Sequence, residues 1–162
     1  LRPALWSAAD AAREAIRDAI GRASIVKLSE DELEFLTGTT DPVEGVRSLN
    51  HVGLALVVVT HGKAGCSFLT PEVQGRAPSF GVTPVDTTGA GDAFMAGLLA
   101  GLLETPSTPL TAERLHTMCR FANAAGALAT TQRGAIPGLP IRAAVTALIE
   151  TNAALTAQEL KS

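Results

Sequence analysis

Apolar residues near the start of the chain recur at two spacings, and the two spacings predict different elements. Residues 7–20 place apolar side chains on one helical face and arginines with acids on the other, which predicts a helix that begins at Ser7 and ends near Gly21. The short run SIVKL at 24–28 predicts a buried strand, and residues 29–38 predict a helix that follows it directly.

The middle of the chain is richer in strand patterns. Residues 41–50 predict a turn and a short helix, and the uninterrupted apolar run LALVVVT at 54–60 predicts a strand buried on both faces. Residues 65–70 and 75–85 predict shorter, partly exposed strands, and the prolines of the second segment confine it to an edge or a loop. The pattern beyond them predicts three helices, over residues 92–103, 111–131 and 140–154.

The order of these elements indicates a fold class. Strand, helix and strand in succession, with fully apolar strands, predict an α/β fold in which helices layer a mainly parallel sheet. In such sheets ligands bind at the carboxyl ends of the strands, next to helix N-termini. We therefore expect the functional residues at that edge of the sheet.

Composition narrows the class of protein. The chain has 162 residues, of which 46% are hydrophobic and 18% charged, and its formal net charge is −3. A length of this size is about one domain's worth, and the lack of a concentrated basic surface argues against nucleic acid or an anionic membrane as a partner. The sequence contains neither an apolar run that could span a bilayer nor an N-terminal signal pattern, so we expect a cytoplasmic protein.

The two cysteines and the histidines suggest no metal site. Cys66 and Cys119 lie far apart without metal-ligand spacing, and we interpret them as buried, small apolar residues in a reducing compartment. The three histidines are scattered as well. Of these only His61, which lies in a glycine-containing loop after the best-predicted strand, is a candidate for function.

The segment VDTTGAGDAFMAGLLAGLL at 85–103 carries the clearest chemical signal. Gly89 and Gly91 allow a tight loop, and the helix that follows begins with N–H groups that have no intrahelical partner, which together favour anion binding. Asp92 in that first turn has two interpretations. It either complements the helix dipole as an ordinary N-terminal acid, or it acts as a general base beside the bound anion.

Four segments resemble, in order, the motifs of the ribokinase-like (PfkB-type) sugar kinase family. DTTGAGDAFMAGLL resembles the family's C-terminal signature, and IVKLSEDELEFLTG resembles the strand and helix that carry its N-x-x-E motif. VVVTHGKAG resembles its T-x-G-x-x-G nucleotide loop, and FANAAGALATTQRGAIPGLP resembles its C-terminal nucleotide and cation-binding stretch. The details, above all KLSEDELEFLTG and RGAIPGLP, are most similar to fructokinases. The resemblance implies a three-layer α/β/α fold.

The resemblance also implies a reaction. ATP would donate its γ-phosphoryl group to a sugar hydroxymethyl oxygen, converting fructose to fructose 6-phosphate, with Asp92 as the base. Gly89 would shape the loop, and the N–H groups of Ala90, Gly91 and Asp92 would stabilise charge on the transferred group. The full-length protein would be a homodimer.

For nucleotide binding, the resemblance implicates Thr60, Gly62 and Gly65 at the phosphates and ribose and Asn123 near the adenine. Each assignment has a structural alternative. HGKAG at 61–65 is also typical of a turn that joins two strands, and Asn123 is also a polar helix residue that bonds a neighbour.

Ser29 and Glu32 likewise have two interpretations. The pattern S-x-x-E before an apolar run predicts a capping box, in which each side chain bonds the other residue's N–H group. The family has an acid at the position of Glu32 that organises Mg²⁺ through water. It usually has Asn where this chain has Ser29, which weakens a direct phosphate or magnesium-water contact by Ser29.

The resemblance further implies a monovalent cation site, with K⁺ as the expected ion. Asp86 would supply a carboxylate, although it is also a plain strand-end acid that can cap the loop. Hard cations favour such oxygen ligands. The implicated residues are Asp86, Thr88, Ala129, Gln132, Gly134 and Gly138.

Length is where the chain departs from the family, whose members are about twice as long. We therefore expect residues 1–162 to be the C-terminal portion of one ribokinase-like domain, without the N-terminal half and lid that supply most sugar contacts. Two alternatives to a fructokinase stay open. One is a family member with another acceptor (ribose, 2-keto-3-deoxygluconate or a nucleoside), and the other is a non-catalytic nucleotide-binding module.

Overall fold

The structure is a computed structural model that describes residues 5–49 and 51–159, with side chains up to residue 154. Residues 1–4 and Asn50, the last residue of the predicted 41–50 segment, lie outside the described residues. The chain divides into two compact units. The first consists of the described residues of Leu1–His61 together with Ser67–Gly75, and the second of Gly62–Cys66 together with those of Arg76–Ser162.

The sheet has four strands in the order β1-β2-β3-β4. β1 and β2 pair in parallel, with Ile25 opposite Leu56 and Ser29 opposite Thr60. The carboxyl ends of these two strands therefore lie side by side, as the apolar runs predicted. The elements up to the end of the sheet are α1 (Ala9–Ile20), β1 (Ile25–Ser29), α2 (Glu30–Thr37), α3 (Pro42–Leu49), β2 (Leu56–Thr60), β3 (Cys66–Leu69) and β4 (Gln74–Ala77).

The core of the first unit lies between β1, β2 and the helices that follow them. Leu33 of α2 and Val59 of β2 are fully buried, and Leu28 and Leu36 pack in the same cluster. Gly45 of α3 approaches so closely that a Cβ there would lie 2.7 Å from a methyl group of Leu33. This packing holds α2 directly behind the strand that precedes it.

The start of α1 differs from the prediction. The helix begins at Ala9 with Ala8 as its N-cap and no side-chain cap bond, so Ser7 does not start it. Ser7 lies one residue before the N-cap position, which is the one whose side chain caps the first turn. Side-chain bonds instead tie the helix to α2, because Arg13 and Arg17 donate to the carbonyls of Phe35 and Leu36.

Of the two strands after residue 60, β3 is more buried than predicted and β4 is partly exposed as predicted. β3 is buried along its whole length, whereas the sequence predicted partial exposure. β4 is partly exposed and lies at the end of the strand order, so the edge position predicted from the prolines is confirmed. Residues 78–85 do not continue it as a strand. β3 is buried because β2 and β4 flank it in the sheet, which no local pattern encodes.

The second unit is built on three helices, α4 (Ala90–Glu104), α5 (Ala112–Ala129) and α6 (Arg142–Glu159). α4 and α5 pack closely through small residues. A Cβ on Gly97 would lie 3.0 Å from Cα of Ala122, and one on Gly126 would lie 3.1 Å from the Ala90 carbonyl oxygen. This contact anchors the first turn of α4, which explains why so apolar a helix follows the acidic loop.

The two cysteines were predicted to be buried. Cys66 and Cys119 are both buried and free, as expected. The hydrogen bond to Cys66 and burial raise the pKa of the Cys119 thiol well above its ordinary value.

Within residues 5–49 and 51–159, the structure contains no helix with both the length and the apolar character needed to cross a membrane.

Candidate active site

The loop before α4 requires glycine at its last position. Gly89 is the N-cap of α4 and adopts φ +83°, in the left-handed region. A Cβ there would lie 2.8 Å from Cβ and 2.9 Å from Cα of Ala135. Backbone conformation and close contact both exclude a side chain, so the prediction of a tight glycine loop at this point is confirmed.

The first turn of α4 exposes backbone donors beside an acid. The N–H of Ala90 donates to the Thr87 carbonyl at 3.2 Å, so it is already engaged in the turn. The N–H groups of Gly91 and Asp92 lie in the first helical turn, where no intrahelical acceptor exists. The Asp92 side chain is exposed and is not the N-cap. The arrangement offers two donors and one carboxylate to a ligand.

Asp86 links this loop to the segment after α5. Its Oδ1 accepts from the Thr88 N–H and its Oδ2 from the Gly134 N–H, each at 2.9 Å. The Gly134 bond, followed by those from Thr88, lowers the pKa of Asp86 to about 2. The carboxylate is therefore ionised in the ordinary pH range and holds two loops that lie far apart in the sequence.

Two carbonyl oxygens, those of Ala129 and Gly134, lie close together at Gly138. Gly138 is buried, and a Cβ on it would lie 2.7 Å from the Ala129 oxygen and 2.9 Å from the Gly134 oxygen. The Val85 and Asp86 N–H groups both donate to the Thr130 carbonyl. Of the predicted cation residues, the structure thus brings together Asp86, Thr88, Ala129, Gly134 and Gly138. Gln132 is exposed, and no described bond ties it to that group.

The donor atoms that this group offers are oxygens, and its role as a cation site stays a prediction. Among the described residues there is no group of three or more His, Cys, Asp or Glu side chains that could hold a metal ion. Carbonyls and one ionised carboxylate are hard oxygen ligands. Gly138 leaves open the space between the Ala129 and Gly134 oxygens that a side chain would fill.

In the first unit, the predicted capping box is present at the start of α2. The Glu32 N–H donates to Ser29 Oγ at 3.2 Å, and the Ser29 N–H donates to Glu32 Oε2 at 2.9 Å. Burial alone would raise the pKa of Glu32, but hydrogen bonds to its carboxylate, including that from Ser29, bring the pKa below its ordinary value. The structural interpretation is confirmed, and the role of Glu32 towards Mg²⁺ stays a prediction.

Thr60 ends β2 and donates its hydroxyl to the Leu28 carbonyl at 3.3 Å. A short 3₁₀ helix, Gly62–Ala64, follows and leads into β3. Gly65 adopts φ +99°, and a Cβ there would lie 2.1 Å from the Ala77 carbonyl oxygen. The segment is a turn between neighbouring strands, as one interpretation predicted, and its nucleotide role stays a prediction.

Asn123 is a buried residue of α5 whose side-chain amide serves the backbone. It donates to the carbonyls of Ala77 at 3.0 Å and Pro78 at 3.2 Å, and lies 3.5 Å from Cys66 Sγ. Gly65 contacts the same stretch after β4. Two predicted nucleotide residues that are 58 positions apart in the printed numbering therefore share a neighbour.

Sequence reasoning missed two residues around His61. Its Nε2 lies 2.8 Å from Ser67 Oγ, and its Nδ1 lies 2.9 Å from Glu30 Oε1. The only local signal was a histidine directly after Thr60, where a buried strand ends. Neither Ser67 nor Glu30 belongs to a motif that would have singled it out.

A family of sugar kinases and individual fructokinases are among the known sequences that match this chain. The model of the pfkB family of carbohydrate kinases matches residues 1–142. Fructokinase-1 of Zea mays is 47% identical over 152 residues, which cover 93% of this chain and 47% of that protein. Probable fructokinase-7 of Arabidopsis thaliana is 43% identical over 154 residues, which cover 93% and 45%. The chain thus spans about half the length of the curated relatives it matches.

Solved structures give the same picture. The fructokinase of Vibrio cholerae O395, bound to fructose, ADP and calcium ion, is 41% identical with a TM-score of 0.81, over 91% of this chain and 48% of that chain. A double mutant of that enzyme with potassium ion bound has a TM-score of 0.80 at 40% identity, over 91% and 47%. Aminoimidazole riboside kinase of Salmonella enterica, bound to aminoimidazole riboside and an ATP analog, has a TM-score of 0.78 at 34% identity, over 92% and 50%. These likenesses confirm the predicted fold class.

Proposed function

The chain belongs to the pfkB family of carbohydrate kinases, and we propose that the complete protein is an ATP-dependent fructokinase. It transfers the γ-phosphoryl group of ATP to the C6 hydroxymethyl oxygen of fructose and yields ADP and fructose 6-phosphate. Relatives named as fructokinases at 43% and 47% identity support this acceptor, as does the likeness to an enzyme crystallised with fructose and ADP.

The observation that carries the proposal is the first turn of α4. Asp92 is exposed there, next to the N–H groups of Gly91 and Asp92 itself. In the proposed reaction the sugar hydroxyl oxygen attacks the γ-phosphorus, and the Asp92 carboxylate accepts the proton of that hydroxyl. The two N–H groups stabilise the charge on the transferred group, while the Ala90 N–H maintains the turn through Thr87.

The nucleotide is held, in this proposal, by the loop after β2. Thr60, Gly62 and Gly65 line the phosphates and ribose, because glycines permit close approach of the backbone. Asn123 acts at the adenine end by holding the Ala77 and Pro78 carbonyls in place. Bound magnesium would neutralise phosphate charge, and Glu32 is the residue proposed to hold it through water. The capping bond fixes that carboxylate and is one of the hydrogen bonds that lower its pKa.

We extend the proposal to a K⁺ site formed by Asp86 and the carbonyls near Gly138. Its support is the ionised carboxylate, the converging oxygens and the bound potassium ion of one similar structure. The test is the phosphorylation rate of the complete protein in K⁺ compared with a bulky organic cation at equal ionic strength. We expect a higher rate in K⁺, and equal rates would refute the site.

The acceptor is tested by a substrate panel with the complete protein, MgATP and an assay of ADP release. The panel contains fructose, ribose, 2-keto-3-deoxygluconate and aminoimidazole riboside; the last is included because a structure similar to this chain binds it. We expect kcat/KM to be highest for fructose. A clear preference for another acceptor would refute the fructokinase assignment, and ATP binding without turnover of any acceptor would favour a non-catalytic module.

A further inference from the structure

Three polar side chains meet where β1 and β2 end. His61 follows β2, Glu30 is the first residue of α2, and Ser67 lies in β3. The His61 side chain is only 8% exposed. Its Nε2 lies 2.8 Å from Ser67 Oγ, and its Nδ1 lies 2.9 Å from Glu30 Oε1. We call these residues the His61 cluster.

The neighbours of the imidazole determine its tautomer. An ionised carboxylate accepts hydrogen bonds and cannot donate them, so the side of the ring that faces Glu30 carries the proton. Nε2 is then the acceptor for the Ser67 hydroxyl. The Nδ1 proton is buried and is not aligned for a proper hydrogen bond to Glu30, which makes that contact mainly electrostatic.

Such a ring is a poor device for stability alone. A buried donor without a well-aligned acceptor costs free energy, and an apolar residue of similar size would avoid this cost. Exceptions of this kind concentrate at functional sites. The position of the imidazole is therefore better explained by the segment that it holds in place, the loop after β2, than by a contribution to the stability of the fold.

What the cluster holds is the base of the loop after β2. His61 and Ser67 flank residues 62–66 in the chain, so their hydrogen bond joins the two ends of that segment. Thr60, the residue before His61, is fixed by its bond to Leu28. The contact with Glu30 adds the start of α2, one residue after Ser29.

We propose that His61 is a positioning residue for nucleotide binding. Through Ser67 and Glu30 it holds the ends of the 62–66 loop in the conformation that receives the phosphates. This inference rests on the proposed function in one respect, namely that the loop binds nucleotide.

Two amide substitutions separate this role from a general structural one. In His61→Gln the amide reaches about as far as Nε2 and retains a partner for Ser67 Oγ. In His61→Asn the amide is one methylene shorter and reaches only about as far as Nδ1. Loss of one neutral hydrogen bond corresponds to about 0.5–1.5 kcal/mol, which is roughly a two- to tenfold change in affinity. His116→Asn, at an exposed position of α5, is the matched control.

The measurement is the Kd of MgADP by calorimetry on the complete protein, with the unfolding midpoint recorded in the absence of nucleotide. We expect His61→Asn to weaken MgADP binding by about two- to tenfold and His61→Gln to stay within about twofold of the parent. Without nucleotide, His61→Asn should unfold at a slightly lower midpoint than His61→Gln, because it lacks the hydrogen bond to Ser67 Oγ. KM for fructose should not change in either variant.

Several results would overturn the proposal: an unchanged Kd in His61→Asn, equal Kd values in the Asn and Gln variants, or a rise in KM for fructose that matches the rise in the Kd of MgADP. Should His61→Asn not fold, Ser67→Ala breaks the same hydrogen bond, and an unchanged Kd there would be equally damaging. A parent protein that binds MgADP but phosphorylates no sugar refutes the proposed function alone, while the Kd comparison still decides the role of His61. A parent protein that binds no MgADP refutes both.

Discussion

Gly89→Ala perturbs the turn on which the proposed chemistry depends. Gly89 lies at φ +83°, and the new Cβ would be 2.8 Å from the Ala135 Cβ and 2.9 Å from its Cα. The left-handed backbone costs about 1–2 kcal/mol for a residue other than glycine. Forcing a methyl group into packed surroundings adds about 1–3 kcal/mol. We therefore expect a loss of about 2–5 kcal/mol in the free energy of unfolding.

Gly38→Ala is the matched control. Gly38 ends α2 at φ +79°, and a Cβ there would have no heavy atom within 4 Å. It shares the backbone cost of about 1–2 kcal/mol without the contact cost. The difference between the two variants measures the clash with Ala135.

Catalysis provides the second part of this prediction. If the loop shifts to relieve the clash, the N–H groups of Gly91 and Asp92 move with it. A displacement of about 1 Å at a reacting site lowers the rate by about a hundredfold. We would measure kcat by ADP release and stability by urea denaturation, both on the complete protein. Gly38→Ala should keep its kcat. A Gly89→Ala protein with the parent's kcat would refute the claim that this turn positions the phosphoryl group.

Four other outcomes are expected. Asp86→Asn should be less stable than the parent above about pH 4. Because the folded-state pKa of Asp86 is lowered to about 2, this difference should disappear as the pH falls from about 4 towards 2, which denaturation midpoints against pH would show. Ser29→Ala should lower the free energy of unfolding by about 1 kcal/mol, because the helix cap is lost. Glu32→Gln retains an acceptor for the Ser29 N–H, so we expect it to raise the Mg²⁺ concentration that gives the half-maximal rate. An unchanged Mg²⁺ requirement in Glu32→Gln would indicate that Glu32 only caps the helix. Gly65→Ala should weaken MgADP binding and lower the unfolding midpoint, since its Cβ would lie 2.1 Å from the Ala77 oxygen, and unchanged values of both would contradict the packing described.

The features that the sequence predicted correctly depend on residues close together in the chain. The S-x-x-E pattern predicted the capping box of Ser29 and Glu32, and the apolar run at 54–60 predicted β2. Glycine chemistry likewise predicted the tight turn at Gly89. In each case the signal lies in a few neighbouring residues, so local propensity and hydrogen bonding give the element. The pairing of β2 with β1 and the contact of Gly89 with Ala135 involve distant residues.

The features that the sequence did not predict depend on distant partners. Gly134 donates to Asp86 across 48 positions, and Asn123 donates to Ala77 across 46. The contact between His61 and Glu30 crosses from one strand end to the next. The prediction that Ser7 caps α1 was wrong, and side-chain bonds of α1 instead reach a distant element, α2. Pairing across the fold, which no spacing encodes, explains these differences.

Asp92 as the base is the central proposal, and its most direct test is kcat of Asp92→Asn in the complete protein. The control is Glu113→Gln, which alters an acid in the first turn of α5 and has the same relation to a helix dipole without proposed chemistry. We predict that Asp92→Asn lowers kcat by about 10²–10⁴ with little change in the Kd of MgADP, and that Glu113→Gln keeps the parent's kcat. An Asp92→Asn protein that turns over fructose at the parent's rate would show that the carboxylate only complements the helix dipole, and would contradict its role as the base.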